Sequence, residues 1–231
     1  MPTLENKIVV ITGAKGGLGA TVTQSFLESG AIVIGVSRSI EAKDFQHANF
    51  RPMPAELTHG RAAELLAEEV AGRFQKIDVL VHLVGGFAGG QSVADTDDAT
   101  LEQMLELNLK SLFYMVRAVI PYMRQAGSGR VLAIGSRAAV EPSPMAGAYS
   151  ASKAALVSLI RTLAAENGDR GITANVVLPG TMDTPANRAA DPGADFSKWV
   201  QPAQVSAMLL HLASDAASQI NGAAIPVYGS K

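Results

Sequence analysis

Apolar residues fall along this chain in short dense runs, separated by longer stretches where they recur every third or fourth position. Lys7-Ile8-Val9-Val10-Ile11-Thr12 is β-branched and reads as a strand. Gly17–Ser29 carries Val22, Phe26 and Leu27 at helical spacing, and Gly30 marks a stop. The alternation continues to the end of the chain. Strands are expected over Ala31–Val36, more weakly over Asn49–Met53, then over Asp78–Val84, Arg130–Ile134, Ile172–Leu178 and Ala223–Val227. Helices are expected over Arg61–Phe74, Tyr149–Asn167 and Pro202–Ala213, with one bent helix or two successive ones over Asp97–Gln125.

Strands apolar on both faces that alternate with helices imply a parallel sheet covered on both sides, joined by right-handed crossovers. The expected class is therefore α/β, a doubly wound (Rossmann) parallel sheet in a single domain over residues 1–231. No internal repeat or low-complexity tract interrupts it. The stretch without clear periodicity is Gly180–Val200, with Pro185, Pro192, Gly193 and the single tryptophan, Trp199. Long irregular loops in compact α/β domains usually serve binding, so a substrate loop is expected at about 180–200.

Composition narrows the function. The formal charge is −2, from 19 basic and 21 acidic residues, which provides no basic field for a nucleic acid. With 48% apolar and 17% charged residues the chain is core-forming. There is no cysteine, hence no disulfide scaffold, thiolate metal site or cysteine nucleophile. His47, His59, His82 and His211 are scattered without metal-ligand spacing, so no metal is expected. The start, Met1–Lys7, lacks the pattern of a leader, and the apolar runs are far short of the ~20 residues of a membrane helix. A soluble cytoplasmic protein is the expectation.

The first strand runs into Thr12-Gly13-Ala14-Lys15-Gly16-Gly17-Leu18-Gly19 and then a helix. Glycines at Gly13, Gly16, Gly17 and Gly19 suit a tight turn against a pyrophosphate, and the helix start behind them offers N–H donors. A tight turn without ligand is the plainer reading, but it does not call for so many glycines. Coenzyme choice is read at the end of the second strand, where an acid would hold the ribose of NAD and a base the extra phosphate of NADP. Ser37-Arg38-Ser39 stands there, with no acid. Arg38 offers a charged fork and Lys15 further charge, so NADP(H) is favoured and NAD(H) is the alternative.

Tyr149 and Lys153 are four residues apart and share one helical face. A nearby ammonium stabilises a phenolate and suits tyrosine to acid–base work. Ser136 ends the strand before them, and Asn108 is a polar residue in the apolar helical stretch Leu107-Asn108-Leu109. Pro179-Gly180 follows the next strand, with Thr184 four residues on. With the glycine loop, this order and spacing resembles the short-chain dehydrogenase/reductase family over nearly the whole chain.

The resemblance implies an oxidoreductase. Tyr149 would be the proton donor, Lys153 would hold the nicotinamide ribose and lower the Tyr149 pKa, Ser136 would orient the substrate, and Asn108 would hold a water in a proton relay. Pro179, Gly180 and Thr184 would contact the nicotinamide end, and Glu56-Leu57 stands where the family places an acid near the adenine. The family's Asn-Asn-Ala-Gly after the fourth strand is His82-Leu83-Val84-Gly85 here; Gly85 keeps room for a coenzyme. The family's Asp near the C-terminal Gly is Tyr228. Members pair as dimers or tetramers, so a homodimer or homotetramer is expected, through the small-residue helices Tyr149–Asn167 and Pro202–Ala213.

Two segments, Leu83–Gly90 and Asp183–Trp199, are similar to stretches of dihydropteridine reductases. That likeness implies a pocket for a flat ring, walled by Phe87 and Trp199. The substrate is thus expected to be a small carbonyl or cyclic imine, with a pteridine as one case and a non-pterin ketone or 3-oxoacyl compound as the alternative. A non-enzymatic NADP(H)-binding sensor is the rival from another class; it gives Asn108, Ser136, Tyr149 and Lys153 no reason to occur together.

Overall fold

A computed structural model describes residues 3–229; Met1 and Pro2, part of the stretch read for a leader, lie outside them. Seven strands form one sheet: β1 (Ile8–Thr12), β2 (Ile32–Ser37), β3 (Phe50–Pro54), β4 (Val79–His82), β5 (Gly129–Ile134), β6 (Ile172–Pro179) and β7 (Ala224–Val227). Their order is β3-β2-β1-β4-β5-β6-β7, and every pairing is parallel. The chain winds outward from β1 to β3, returns to the middle and winds outward again. The doubly wound α/β sheet expected from the sequence is therefore present.

The helices are α1 (Gly17–Glu28), α2 (Gly60–Phe74), α3 (Asp98–Leu105), α4 (Ser111–Ala126), α5 (Gly147–Asn167), α6 (Pro185–Ala190) and α7 (Pro202–Ala213). The ambiguous stretch Asp97–Gln125 resolves into α3 and α4 joined by a π-helical turn, Glu106–Lys110. Its start is capped by Asp97, whose carboxylate accepts from the Thr100 N–H at 2.7 Å. The supposed loop Gly180–Val200 is partly ordered, by α6 and a 3-10 turn at Phe196–Lys198. Periodicity could not show elements of six and three residues.

Strand alternation divides the apolar residues between two cores. Ile8, Val10, Leu80, Val131, Ala133 and Val176 pack with residues of α2, α4 and α5. Val9, Ile11, Val81, Leu132, Ile134 and Val177 pack with residues of α1 and α7. Because both faces are covered, chemistry is left to the loops at the carboxyl ends of the strands. The crevice opens where the winding reverses, between β1 and β4.

Candidate active site

At the crevice β1 ends in the glycine loop. Gly13 has a left-handed φ of +72°, and a Cβ there would lie 3.1 Å from the backbone of Leu83 and Val84. A Cβ on Gly19 would collide with the Gly13 carbonyl. The loop thus packs against the chain leaving β4 and turns directly into α1. Gly16 caps α1 without a side chain, and no acid stands in its first turn, so no side chain quenches its positive end. Leu18 is buried in the core beneath, among Val22 and Phe26.

Beyond β2 the Ser37 hydroxyl accepts from the Lys15 N–H at 3.2 Å. The Lys15 ammonium contacts Asp44 at 2.9 Å and donates to the Ser39 carbonyl at 3.1 Å. The hydrogen bond from Lys15 to Asp44 holds that carboxyl below its ordinary value, assisted by the Glu41 backbone. Arg38 is exposed and makes no ion pair among the described residues. Asp44 did not stand out in the sequence; its signal was the one-turn helix Ala42–Asp44, boxed by Glu41. Past β3, Glu56 is exposed while Leu57 is buried among Val36, Ala63 and Leu66, so the Leu57 side chain serves the core.

The other wall comes from β4, β5, the π-turn and α5. Asn108 is fully buried in the π-turn. Its Oδ1 accepts from the Gly86 N–H at 3.0 Å, and its Nδ2 donates to the Gly86 carbonyl at 3.1 Å and the Ser152 hydroxyl at 3.0 Å. The Asn108 amide is therefore engaged in tying the chain after β4 to α5. Ser152, overlooked in the sequence, donates in turn to the Tyr149 carbonyl at 2.7 Å.

Lys153 is buried, its ammonium donating to the Ile134 carbonyl at 2.9 Å; burial pulls its pKa down to about 8. A Cβ at Gly85 would lie 2.8 Å from Asn108 Oδ1 and 3.2 Å from Lys153 Nζ, so the two groups converge beside this glycine.

Ser136 follows β5 and caps a short turn, its hydroxyl accepting from the Ala138 N–H at 3.1 Å. Tyr149 stands in the first turn of α5. Burial raises its phenol above the ordinary value, and a hydrogen bond with Ser136 lowers it in part. Burial is the larger influence on this phenol, and the Lys153 ammonium, expected to depress it, donates to the Ile134 carbonyl.

Across the crevice β6 ends at Pro179. Gly180 packs under the Tyr228 backbone, where a Cβ would meet the carbonyl at 2.7 Å. Thr184 caps α6 and reaches the glycine loop; its Cβ would be 3.2 Å from a Cβ on Gly17. Phe87 is 71% exposed, with its ring edge-on to Tyr149 at 5.0 Å. Trp199 packs at a tilt against Phe196, centroids 4.8 Å apart, and Arg188 lies 4.6 Å over the Phe196 ring. Phe87 and Trp199, the two walls expected from the sequence, thus each pack against another aromatic residue.

The site therefore unites the glycine loop, Asn108, Ser136, Tyr149 and Lys153 at one end of the sheet. A family model described as short chain dehydrogenase matches residues 7–195. This chain belongs to the short-chain dehydrogenase family. It is 30% identical to the short chain dehydrogenase adrF of Penicillium rubens over 98% of this chain and 97% of that protein. It is 30% identical to the 3-oxoacyl-(acyl-carrier-protein) reductase FabG of Salmonella typhimurium over 98% of each. A short-chain type dehydrogenase/reductase from Mycobacterium ulcerans has the same fold, with a TM-score of 0.93 and 25% identity, over 98% of this chain and 90% of that one.

Family membership makes this short-chain dehydrogenase an oxidoreductase that uses NAD(P)(H). The departures from the family's usual residues fall beside the site. His82 is buried in a hydrogen-bonded position, and Tyr228 lies over Gly180 with Arg137 5.0 Å above its ring. Among the described residues no helix is long and apolar enough to cross a membrane.

Proposed function

We propose that this short-chain dehydrogenase transfers hydride between a nicotinamide coenzyme, with NADP(H) preferred, and a small ketone or 3-oxoacyl-type carbonyl. The observation that carries the reading is the convergence at one sheet end: Ser136 near enough to Tyr149 to draw its phenol pKa down in part, beside Asn108 and Lys153 meeting at Gly85. The start of α1, with no side-chain cap and no acid in its first turn, and the space kept at Gly85 suit a pyrophosphate and a ribose–nicotinamide. Bound there, the coenzyme supplies or accepts the hydride.

The residues divide the remaining work. Gly13, Gly16, Gly17, Leu18 and Gly19 present backbone donors. Ser37, Arg38 and Lys15 hold the ribose phosphate, which would take over the place of the Asp44 carboxylate on Lys15. Glu56 and Leu57 flank the adenine, Leu57 by its backbone. Pro179, Gly180 and Thr184 bound the nicotinamide end. Ser136 orients the carbonyl oxygen toward Tyr149. The raised phenol pKa keeps Tyr149 protonated at neutral pH, as a donor to a developing alkoxide must be. Lys153, its pKa already drawn down to about 8, is placed to hold a ribose and restore that proton.

The ketone reading takes precedence over a cyclic imine such as a pteridine. A relative at 30% identity is named for a 3-oxoacyl substrate, and Phe87 and Trp199 each have another aromatic partner. Phe87, edge-on to Tyr149 and largely exposed, is the apolar surface that the carbonyl's substituent meets. The test is oxidation of NADPH and NADH with a panel of 3-oxoacyl thioesters, ketones and quinonoid dihydropterin. Turnover of a ketone, reduced about 10²–10⁴-fold in Tyr149→Phe, is the expected result. Unchanged activity in Tyr149→Phe with coenzyme binding intact would sink the assignment and favour a coenzyme sensor. Dihydropterin turnover exceeding all ketones would restore the pterin reading.

A further inference from the structure

We propose that His82 is a positioning residue: a neutral imidazole of fixed tautomer that locks the π-turn holding Asn108 to the end of β1. The inference rests on the reading of Asn108 as part of the active site. His82 ends β4 and pairs in register with Thr12, the last residue of β1, at the point where the winding reverses. The sheet alternation directs both side chains, like Leu80 and Val10, toward the core covered by α4. There His82 is 1% exposed, with Nδ1 2.9 Å from the Thr12 hydroxyl and Nε2 3.1 Å from the Ser111 hydroxyl.

The proton positions follow from the partners. Ser111 donates its one hydroxyl proton to the Leu107 carbonyl at 2.7 Å, so toward His82 it accepts. The proton is therefore on Nε2. Nδ1 then accepts from Thr12, whose oxygen in turn accepts the Leu83 N–H at 3.3 Å. The result is a one-way chain from Leu83 through Thr12, His82 and Ser111 to Leu107. A second ring proton on Nδ1 would face the Thr12 hydroxyl proton. Burial, and then the Lys153 charge, act in the same direction and draw the His82 pKa down to about 3.

The far end of this chain is the π-turn itself. In that turn the Ser111 N–H bonds the Glu106 carbonyl, and the Leu107 carbonyl is taken by the Ser111 hydroxyl. His82 fixes that hydroxyl. Leu107 precedes Asn108, whose amide clamps Gly86 and reaches Ser152 and, through it, the Tyr149 turn. His82 thus acts on the reacting groups only through Asn108.

The first readout needs no coenzyme. In the free protein, ¹⁵N NMR of the four histidines should show one Nε2–H imidazole that does not titrate between about pH 5 and 9. It should be absent from His82→Phe. In His82→Phe, amide exchange over residues 106–111 should rise at least about tenfold, because Thr12 and Ser111 lose their fixed partner. The activity readout is kcat per folded molecule. It should fall roughly tenfold with the coenzyme KM within about twofold, and Ser111→Ala should add nothing to His82→Phe in the double variant. A His82 that titrates in that range or carries its proton on Nδ1 would overturn the proposal. So would unchanged exchange over 106–111, or an unchanged kcat in a variant that merely melts earlier. Tautomer and exchange are read without turnover, so failure of the hydride-transfer reading would show separately, in Tyr149→Phe.

Discussion

At the residue scale the site is governed by burial of groups that must change or hold charge. Lys153 shows it most directly. Its folded pKa, about 8, lies below the ordinary lysine value of 10.5, so the folded protein releases this proton at a lower pH than the unfolded chain does. Between these values the unfolded chain binds more protons, and stability rises with pH. The stability of the wild type relative to Lys153→Met should therefore grow by roughly 1 kcal/mol per pH unit through that window. Denaturant titrations of both proteins from neutral to alkaline pH would check it, and parallel curves would refute the depressed pKa.

Gly85 is a second residue-scale test. Its substitution by alanine places a methyl group 2.8 Å from Asn108 Oδ1, closer than real Cβ atoms come, and 3.2 Å from Lys153 Nζ, which is tight. Gly85→Ala should lower kcat/KM about tenfold or more, while far-ultraviolet circular dichroism stays unchanged. An unaltered kcat/KM would mean that the convergence at Gly85 is incidental.

At the element scale the long segment after β6 is anchored in the core at Met182 and Val200 and held between them largely by side-chain pairs. Arg188 chelates Asp183, with Nη2 to Oδ2 at 2.8 Å, and Gln201 adds a bond at 3.0 Å. The first of these hydrogen bonds, then the second, holds the Asp183 carboxyl down to about 2. Arg188 also covers Phe196, which packs against Trp199. The Arg188 side chain is 52% exposed and that of Asp183 10%, so solvent screens the pair from the arginine side and its net contribution is modest. Asp183→Asn should therefore leave the melting temperature within a few degrees of wild type. Cleavage by trypsin within 183–200 should accelerate, since local opening governs attack on such a segment. Cleavage at the wild-type rate would show that backbone bonds, such as Val200 N–H to Thr181 O at 2.8 Å, suffice.

The same scale explains why the reading of the elements was uneven. Strands β1, β4 and β6 are buried on both faces, so their sequences are continuous apolar runs and stood out. The π-turn did not: it inserts into a helix without changing its apolar stripe. Ser111, His82 and Asn108, which bond at or beside it, find their partners only in the packed structure. Ser136, Tyr149 and Lys153 stood out by type and spacing, whereas Asp44 and Ser152 matter through partners distant in sequence.

At the scale of the whole molecule, the doubly wound sheet concentrates the polar loops at one end and leaves helical faces outside. On α5, Ala151, Ala154 and Ser158 are exposed, with Ala155 and Leu159 half-buried; these form a smooth stripe where a second copy can approach closely. We propose that this face, with α7, mediates a homodimer or homotetramer. Light scattering should give two or four times 24.0 kDa, and Ala154→Arg should shift the population toward monomer. A wild-type monomer at micromolar concentration would refute this.

The amino-acid sequence by itself determined the periods: which segments are buried on two faces, which on one, and where glycine must turn the chain. Those periods are local, set by pleat and helix pitch, and they sufficed for the α/β class. The spacing of Ser136, Tyr149 and Lys153 is likewise local, because one strand end and the start of one helix carry all three. Tertiary structure alone decided what meets across the crevice: Lys15 with Asp44, Asn108 with Gly86 and Ser152, His82 with Thr12 and Ser111, Phe87 with Tyr149 and Trp199 with Phe196. Partners separated by tens of residues leave no periodic trace, and a buried polar group takes whichever partner the packing brings within hydrogen-bond reach.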